Sequence, residues 1–342
     1  MTHPLTIIGN EGSPYSRKMR AVLRYRRIPH RWVVSNGPEY RQPPAVPVQV
    51  IPVLVWHDDD GTMRESMVDS TPQILRLERE HAGRSLIPGD PALALLSALI
   101  EDYADEWCTK FMFHYRWADE AGIGWARRHL MRQIDPSIAA PQLEQFAAWF
   151  GDRQMGRRAV VGSSAETAPL IEAGYQRLLA QLEALLAQRR FLFGDRPSAA
   201  DFGLYGQLTQ LCGFDPTSTQ LAQAQAPRVL AWVVRMEDLS GWEATDAQWL
   251  SRDAALPALQ PLLAEIGATY APFLLANAAA RAAGQDQVEC AIQGRTWRQK
   301  TFPYQAKCLQ WLREQHAGLS SADRGWIASA LAGSGCEALF AA

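Results

Sequence analysis

One proline sits inside the most strand-like segment of the chain, Val50-Ile51-Pro52-Val53-Leu54-Val55-Trp56, and it restricts the available folds more than any other residue. Proline has no N–H for a sheet ladder, so it belongs at the start of a strand, at an edge or at a bulge. Asp58-Asp59-Asp60-Gly61 follows as a turn signal and Thr62 to Val68 as a returning strand. The segment therefore reads as one arm of a β-hairpin.

Upstream, Leu5 to Ile8 is a short apolar strand ending at Gly9, and Ser13-Pro14 opens a helix. Serine is a good N-cap, proline is favoured at the first helical position, and Met19, Val22 and Leu23 supply an apolar face. The helix ends near Ile28-Pro29, and Arg31 to Val34 reads as a second strand. Pro38, Pro43, Pro44 and Pro47 make the next stretch loop-like. After the hairpin a further helix runs to about His81, so the first ninety or so residues predict strand, helix, strand, loop, hairpin, helix.

From Pro91 helical periodicity takes over, strongest in Ala92–Trp117, Gln142–Phe150, Ile171–Gln188 and Ala199–Leu211. Beyond Gly241 the pattern is less regular. Helix-like stretches at Leu256–Ile266 and Phe302–Gln315 flank a hairpin, Val288–Trp297, turning at Gln293-Gly294. With 342 residues the chain has room for two compact domains and a fraction.

Composition narrows the function classes. Hydrophobic residues make up 47% and charged residues 20%, an ordinary globular balance, and the formal charge of −2 offers no field to attract nucleic acid or an anionic membrane. Arg24, Arg26 and Arg27 form a basic helix end, not a nucleic-acid footprint. Five separated cysteines, without a CxxC pair or Cys/His cluster, suggest neither a zinc site nor a disulfide framework. The N-terminus has no signal-peptide pattern and no run approaches about 18 apolar residues, so a cytoplasmic protein is expected. Twelve tryptophans exceed what packing needs and fit pockets for aromatic ligands.

Three segments carry a resemblance. Ile51-Pro52-Val53-Leu54 resembles the cis-proline element of the thioredoxin-like fold, whose preceding residue offers its backbone to the cysteinyl part of a bound thiol peptide. Gly12-Ser13-Pro14-Tyr15-Ser16-Arg17-Lys18 resembles the active-site loop of glutaredoxins and glutathione transferases, with serine at both cysteine positions of the glutaredoxin pattern. That excludes dithiol exchange here. Phe191-Leu192-Phe193-Gly194-Asp195-Arg196-Pro197-Ser198-Ala199-Ala200-Asp201-Phe202 resembles the hydrophobic segment and capping box of the transferase helical domain, with Asp201 reaching back to Ser198. The pattern resembles the cytosolic glutathione S-transferase superfamily over residues 5 to about 240, in the form of bacterial members with unassigned substrate.

The resemblance implies an α/β thioredoxin-like N-terminal domain (1–88) that binds glutathione, an all-α C-terminal domain (91–245) that binds the second substrate, and a C-terminal extension (246–342) packed on the helices. It implies that Ser13 holds the glutathione thiolate, with Tyr15 and Ser16 as alternatives in the same loop. A hydroxyl at the positive end of a helix favours thiolate over thiol. Ile51 and Pro52 would hold the cysteinyl backbone. The γ-glutamyl end needs an acidic residue followed by serine, for which Glu65-Ser66 and Asp69-Ser70 compete. A helix starting at Ser66 would place Pro72 in its second turn, at a cost of about 3 kcal/mol, whereas Ser70 as N-cap leaves Pro72 in the first turn. Asp69 and Ser70 are therefore preferred, with Glu65 second.

Arg17 and Lys18 are candidates for a glutathione carboxylate, or for a solvated first turn. Trp107, Phe111, His114 and Tyr115, in a ring-rich stretch, are candidates for the wall of the second-substrate pocket, with core packing as their other role. Asp102 and Asp105 would face a dimer partner or solvent. The resulting expectation is glutathione as co-substrate, a small apolar or aromatic electrophile, a homodimer, and no metal, nucleic acid or membrane. A non-catalytic protein on the same scaffold is the other reading.

Overall fold

The computed structural model describes residues 3–341. It opens with β1 (Leu5–Gly9), α1 (Pro14–Tyr25), β2 (His30–Val34), β3 (Val53–His57), β4 (Met63–Met67) and α2 (Ser70–Glu80). The strands form one sheet in the order β2-β1-β3-β4, with β1 and β2 parallel and both β1/β3 and β3/β4 antiparallel. Strand alternation sorts the side chains. Ile7, Leu54 and Trp56 join the main core with Met19, Val22 and Leu23 of α1 and Leu77 of α2, while Ile8, Val53 and Val55 form a smaller cluster on the opposite face. The first strand of the hairpin starts at Val53, after the proline, and not at Val50 as the apolar run suggested. The peptide between Ile51 and Pro52 is cis.

Helices follow: α3 (Pro91–Tyr103), a π-helical turn (Ala104–Cys108), α4 (Thr109–Trp117), α5 (Glu120–Ile134), α6 (Ala140–Gly156), α7 (Arg158–Val161), α8 (Ala168–Leu186), α9 (Ala199–Leu211), α10 (Pro216–Gln225) and α11 (Pro227–Met236). The sheet with flanking α1 and α2, followed by this helical array, is the thioredoxin-like plus all-α architecture that the sequence implied. Helix α9 is its axis. Almost all of it is buried, and it packs on both α1 and α3. Asp201 Oδ2 accepts the Ser198 amide at 2.9 Å and Oδ1 accepts the Leu192 amide at 2.9 Å, so the expected box also ties the preceding Phe191-Leu192-Phe193 segment to the helix. Gly206 lets α9 touch the start of α1: a Cβ there would lie 2.8 Å from the Pro14 carbonyl oxygen.

The last hundred residues form α12 (Arg252–Ala268), α13 (Tyr270–Ala282), a β5 (Gln287–Ile292)/β6 (Arg295–Lys300) hairpin, α14 (Pro303–Ala317) and α15 (Ser321–Leu331). The hairpin turns at Gln293-Gly294, both at positive φ (49° and 75°), as the sequence indicated. Helices α12, α14 and α15 lie against α3. The stretch Arg252–Ala282 is long and apolar enough to cross a membrane by length and composition, contrary to the sequence expectation. Here it is mostly buried in the protein and is divided at Thr269 into α12 and α13.

Candidate functional site

The sheet topology brings three loops to one end. The loop after β1 leads into Ser13, the segment entering antiparallel β3 carries Ile51-Pro52, and β4, paired Met67 to Leu54, runs out into Asp69-Ser70.

Ser13 is the N-cap of α1, with extended backbone, and its Oγ accepts the Ser16 amide at 3.3 Å. Among the described residues this hydroxyl acts as an acceptor only, so its O–H is uncommitted by them and stands at the positive end of a twelve-residue helix. The two alternatives are placed differently. The Tyr15 hydroxyl donates to the Asp105 carbonyl at 2.8 Å, and burial pushes its pKa well up. Ser16 is fully buried, and its Oγ accepts the Asn10 amide at 3.3 Å. The Tyr15 hydroxyl is already spent as a donor, and Ser16 is closed off from a ligand by burial.

The loop before Ser13 is held from the helical domain. Arg116 of α4 donates to the Gly12 carbonyl (2.7 Å), to both carboxylate oxygens of Asp215 (2.7 and 3.0 Å) and to Gln210 Oε1 (2.7 Å). The Gln210 amide in turn donates to the Glu11 carbonyl at 3.0 Å. Arg116 and Asp215 are both buried. The sequence reading missed this clamp. Its only local signal is a charged residue within the ring-rich face Phe113-His114-Tyr115-Arg116-Trp117.

Asp69 has φ 79°, a left-handed value that is unusual for a non-glycine residue, and stands just before α2. The cap position therefore falls on Asp69, while Ser70 is the first helical residue and not the N-cap expected from sequence. Pro72 still lies in the first turn. The Asp69 carboxylate accepts the Tyr304 hydroxyl of α14 at 2.7 Å. Burial raises its pKa, with Tyr304 and Lys18 opposing. Ser70 is turned inward: its Oγ is 3.0 Å from Lys18 Nζ and 3.1 Å from Asp105 Oδ2.

Lys18 is wholly buried and not a solvated first-turn charge. Its ammonium meets Glu101 at 2.5 Å and Asp105 at 2.6 Å, joining α1 to α3 and the π-helical turn. Burial works against that charge, but Asp105 and Glu101 outweigh it and hold the pKa above the usual lysine value. Arg17 is engaged by Glu237, and by Glu11 at 3.3 Å. Asp105 thus faces Lys18, and Asp102 accepts the Tyr270 hydroxyl of the extension at 2.7 Å. Both partners lie within the chain.

Glu65 does not compete with Asp69. It projects from β4 onto Arg76, with contacts of 2.7 and 2.9 Å at the exposed side of α2. The four ring residues proposed as a pocket wall are core. Trp107 is covered by Tyr270, Phe273 and Trp297 of the extension, with ring centroids 6.2, 5.6 and 4.9 Å away. Phe111 is buried against α8 at Gly174. Tyr115 packs edge-on against Tyr175. His114 sits between Ser163 (2.9 Å) and Glu172 (3.2 Å), and burial lowers its pKa against the pull of Glu172. The extension covers Trp107, whereas α8 and the segment leading into it cover Phe111, His114 and Tyr115.

Residues 7–85 match "Glutathione S-transferase, N-terminal domain", and residues 152–235 match "Glutathione S-transferase, C-terminal domain". Among solved structures, the chain is similar to a glutathione S-transferase from Methylobacterium radiotolerans in complex with glutathione sulfonate. The identity is 22% and the TM-score 0.42, over 69% of this chain and 91% of that one. It is also similar to the β-etherase LigF from Sphingobium sp. strain SYK-6, with 18% identity and a TM-score of 0.41 over 68% and 95% of the two chains. A third likeness is to FzlA from C. crescentus, with 15% identity and a TM-score of 0.39 over 74% and 98%. No curated protein matches the sequence.

Proposed function

We propose, from the premise that this chain belongs to the glutathione S-transferase superfamily, that it is a glutathione-dependent enzyme whose Ser13 holds the glutathione thiolate for attack on an apolar or aromatic electrophile. The observation that carries this reading is the state of the Ser13 hydroxyl. It caps α1 as an acceptor and keeps its proton free to donate to a sulfur at the helix N-terminus. A thiol of ordinary pKa, about 8.5, is mostly protonated at neutral pH, and a fall of one to two units makes the nucleophile abundant. Positioning the two reactants supplies the rest of the rate.

In this reading residues 1–88 bind glutathione, 91–245 bind the electrophile and 246–342 form the extension. The backbone at Ile51-Pro52 takes the cysteinyl part, and Asp69 takes the γ-glutamyl ammonium on the carboxylate capacity that Tyr304 leaves open. Ser70, spent on Lys18 and Asp105, acts by fixing the start of α2. Cytoplasmic location and a homodimer belong to the same reading. The dimer has to use a surface other than the α3 face that α12, α14 and α15 cover.

The test is an ultraviolet scan of the glutathione complex between pH 5 and 9. A thiolate band that titrates below the free thiol in the native protein, and reverts to the free-thiol pKa in Ser13→Ala, supports the enzyme. A non-catalytic scaffold is the second reading, favoured by one observation: the extension already engages Asp69 through Tyr304. That reading predicts the same titration in both proteins.

A further inference from the structure

A cavity of about 560 Å³ lies between α2, α3 with its π-helical turn, and α14. Ser13, Ile51, Pro52 and Asp69 do not line it. Tyr304 stands between the two regions, lining the cavity while its hydroxyl engages Asp69.

The walls are of two kinds. Leu75, Ile87, Ala98, Trp311 and Leu312 give an apolar body, with Leu75, 44% exposed, near the mouth. The charged lining groups are Glu101, Asp102, Asp105 and Glu106 on the α3 side, Arg79 on α2 and Glu314 on α14, the last two exposed. Among the described residues, cations in contact with the inner four do not balance them. Lys18 is shared between Glu101 and Asp105. Asp102 is faced by the neutral Tyr270 hydroxyl and Cys308 thiol and Glu106 by the Gln305 amide, and among the described residues neither carboxylate forms an ion pair. Lys110, the next cation along the helix, donates to the Val161 carbonyl and Gln299; its charge acts on Glu106 without an ion-pair contact, and burial lowers its own pKa to about 7. Asp105, 6% exposed, also lines the cavity, and its Oδ1 has no hydrogen-bond partner. An apolar chamber with unpaired carboxylates at its inner end is built for a ligand that brings a positive charge on a hydrocarbon or aromatic body.

We propose that this cavity is a second ligand site that takes an amphipathic organic cation, an amine or guanidine, with its charged head at Asp102 and Glu106 and its apolar body against Leu75, Ile87, Ala98, Trp311 and Leu312. The site is built by the C-terminal extension, because α14 supplies one wall. The titration of the two carboxyls is consistent with it. Burial and their acidic neighbours raise Asp102 to about 7 against Tyr270 and Cys308, and Glu106 to about 8 against Gln305 and Lys110, so both recover their charge when a cation arrives. Binding therefore tightens from pH 6 to pH 8.5 and releases protons.

The experiment is calorimetry on the full chain with three probes sharing one body: 4-phenylbutylamine, 4-phenylbutanol and 4-phenylbutyrate. The amine is expected to bind at least about ten-fold more tightly than the alcohol at pH 8, the worth of one charge-assisted hydrogen bond. The carboxylate is expected not to bind. Asp102→Asn combined with Glu106→Gln brings the amine down to the alcohol's affinity, and Ala98→Phe, which fills the chamber, removes both. Equal affinity for amine and alcohol, preference for the carboxylate, or no binding of any probe overturns the proposal. So does an amine affinity in the native protein that fails to rise with pH, a result that needs no variant to fold. No outcome depends on whether glutathione binds at Ser13.

Discussion

Replacing Arg116 by methionine tests how the thiol site is held. The guanidinium makes four hydrogen bonds: two to Asp215, one to Gln210 and one to the Gly12 carbonyl. Its loss strands Asp215, whose side chain is 0% exposed, as an uncompensated buried carboxylate at a cost of about 3–5 kcal/mol. Over 342 residues the unfolding entropy is roughly 0.7 kcal/mol/K, so the midpoint should fall by about 4–7 °C. The same change frees the Gly12 carbonyl, one residue before Ser13. Losing a charge-assisted bond of about 1.5–3 kcal/mol there should weaken glutathione binding by about 10- to 100-fold. The double variant Arg116→Met with Asp215→Leu separates the two effects. An apolar pair of similar volume restores most of the midpoint, yet leaves the Gly12 carbonyl without its donor, so glutathione affinity stays low. Thermal unfolding by circular dichroism and calorimetry with glutathione read both quantities. Recovery of affinity along with stability in the double variant would refute the clamp.

Other consequences are as direct. Ser13→Ala should return the bound thiol to its free pKa, whereas Tyr15→Phe and Ser16→Ala should leave the titration in place, because those hydroxyls serve Asp105 and Asn10. Lys18→Met leaves Glu101 and Asp105 buried together without a cation and should cost about 3–5 kcal/mol in urea unfolding, and a loss below 1 kcal/mol would contradict the role given to that pair. Burial works against the Glu237 carboxylate, but the Tyr205 hydroxyl with Arg17 and Arg20 outweighs it and lowers the pKa from 4.5 to about 2. That stabilisation is present above pH 4.5 and lost as pH falls through 2. Glu237→Gln should therefore be about 2 kcal/mol less stable at neutral pH after screening, with the gap closing towards pH 2. A gap unchanged at pH 2 would contradict the assignment.

What the sequence made legible is local. Ser13-Pro14 states its own cap, Gln293-Gly294 its own turn, and Ser198 to Asp201 its own box, because each partner lies within a few residues. Pro52 marks the start of β3 because a ladder has no use for a residue without an N–H. The clamp from Arg116 spans 104 residues to Gly12, and Tyr304 reaches Asp69 across 235. No periodicity encodes either. Trp107 shows the same limit from the other side. Its spacing says that the ring is buried, but not that Tyr270, Phe273 and Trp297 bury it in place of a substrate. Helix α5 escaped notice because Gly122 and Gly124 dilute its first turns. Its start is set by Asp119, which accepts the Gly122 amide at 2.7 Å.

The central claim, that Ser13 at the head of α1 holds a glutathione thiolate, meets its most direct test in one titration. Glutathione is added to the purified protein in a calorimeter, and the complex is scanned in the ultraviolet across neutral pH. The account predicts saturable binding with a thiolate band at pH 7 that is absent from Ser13→Ala. No binding at millimolar glutathione, or a band that survives the substitution, would contradict it.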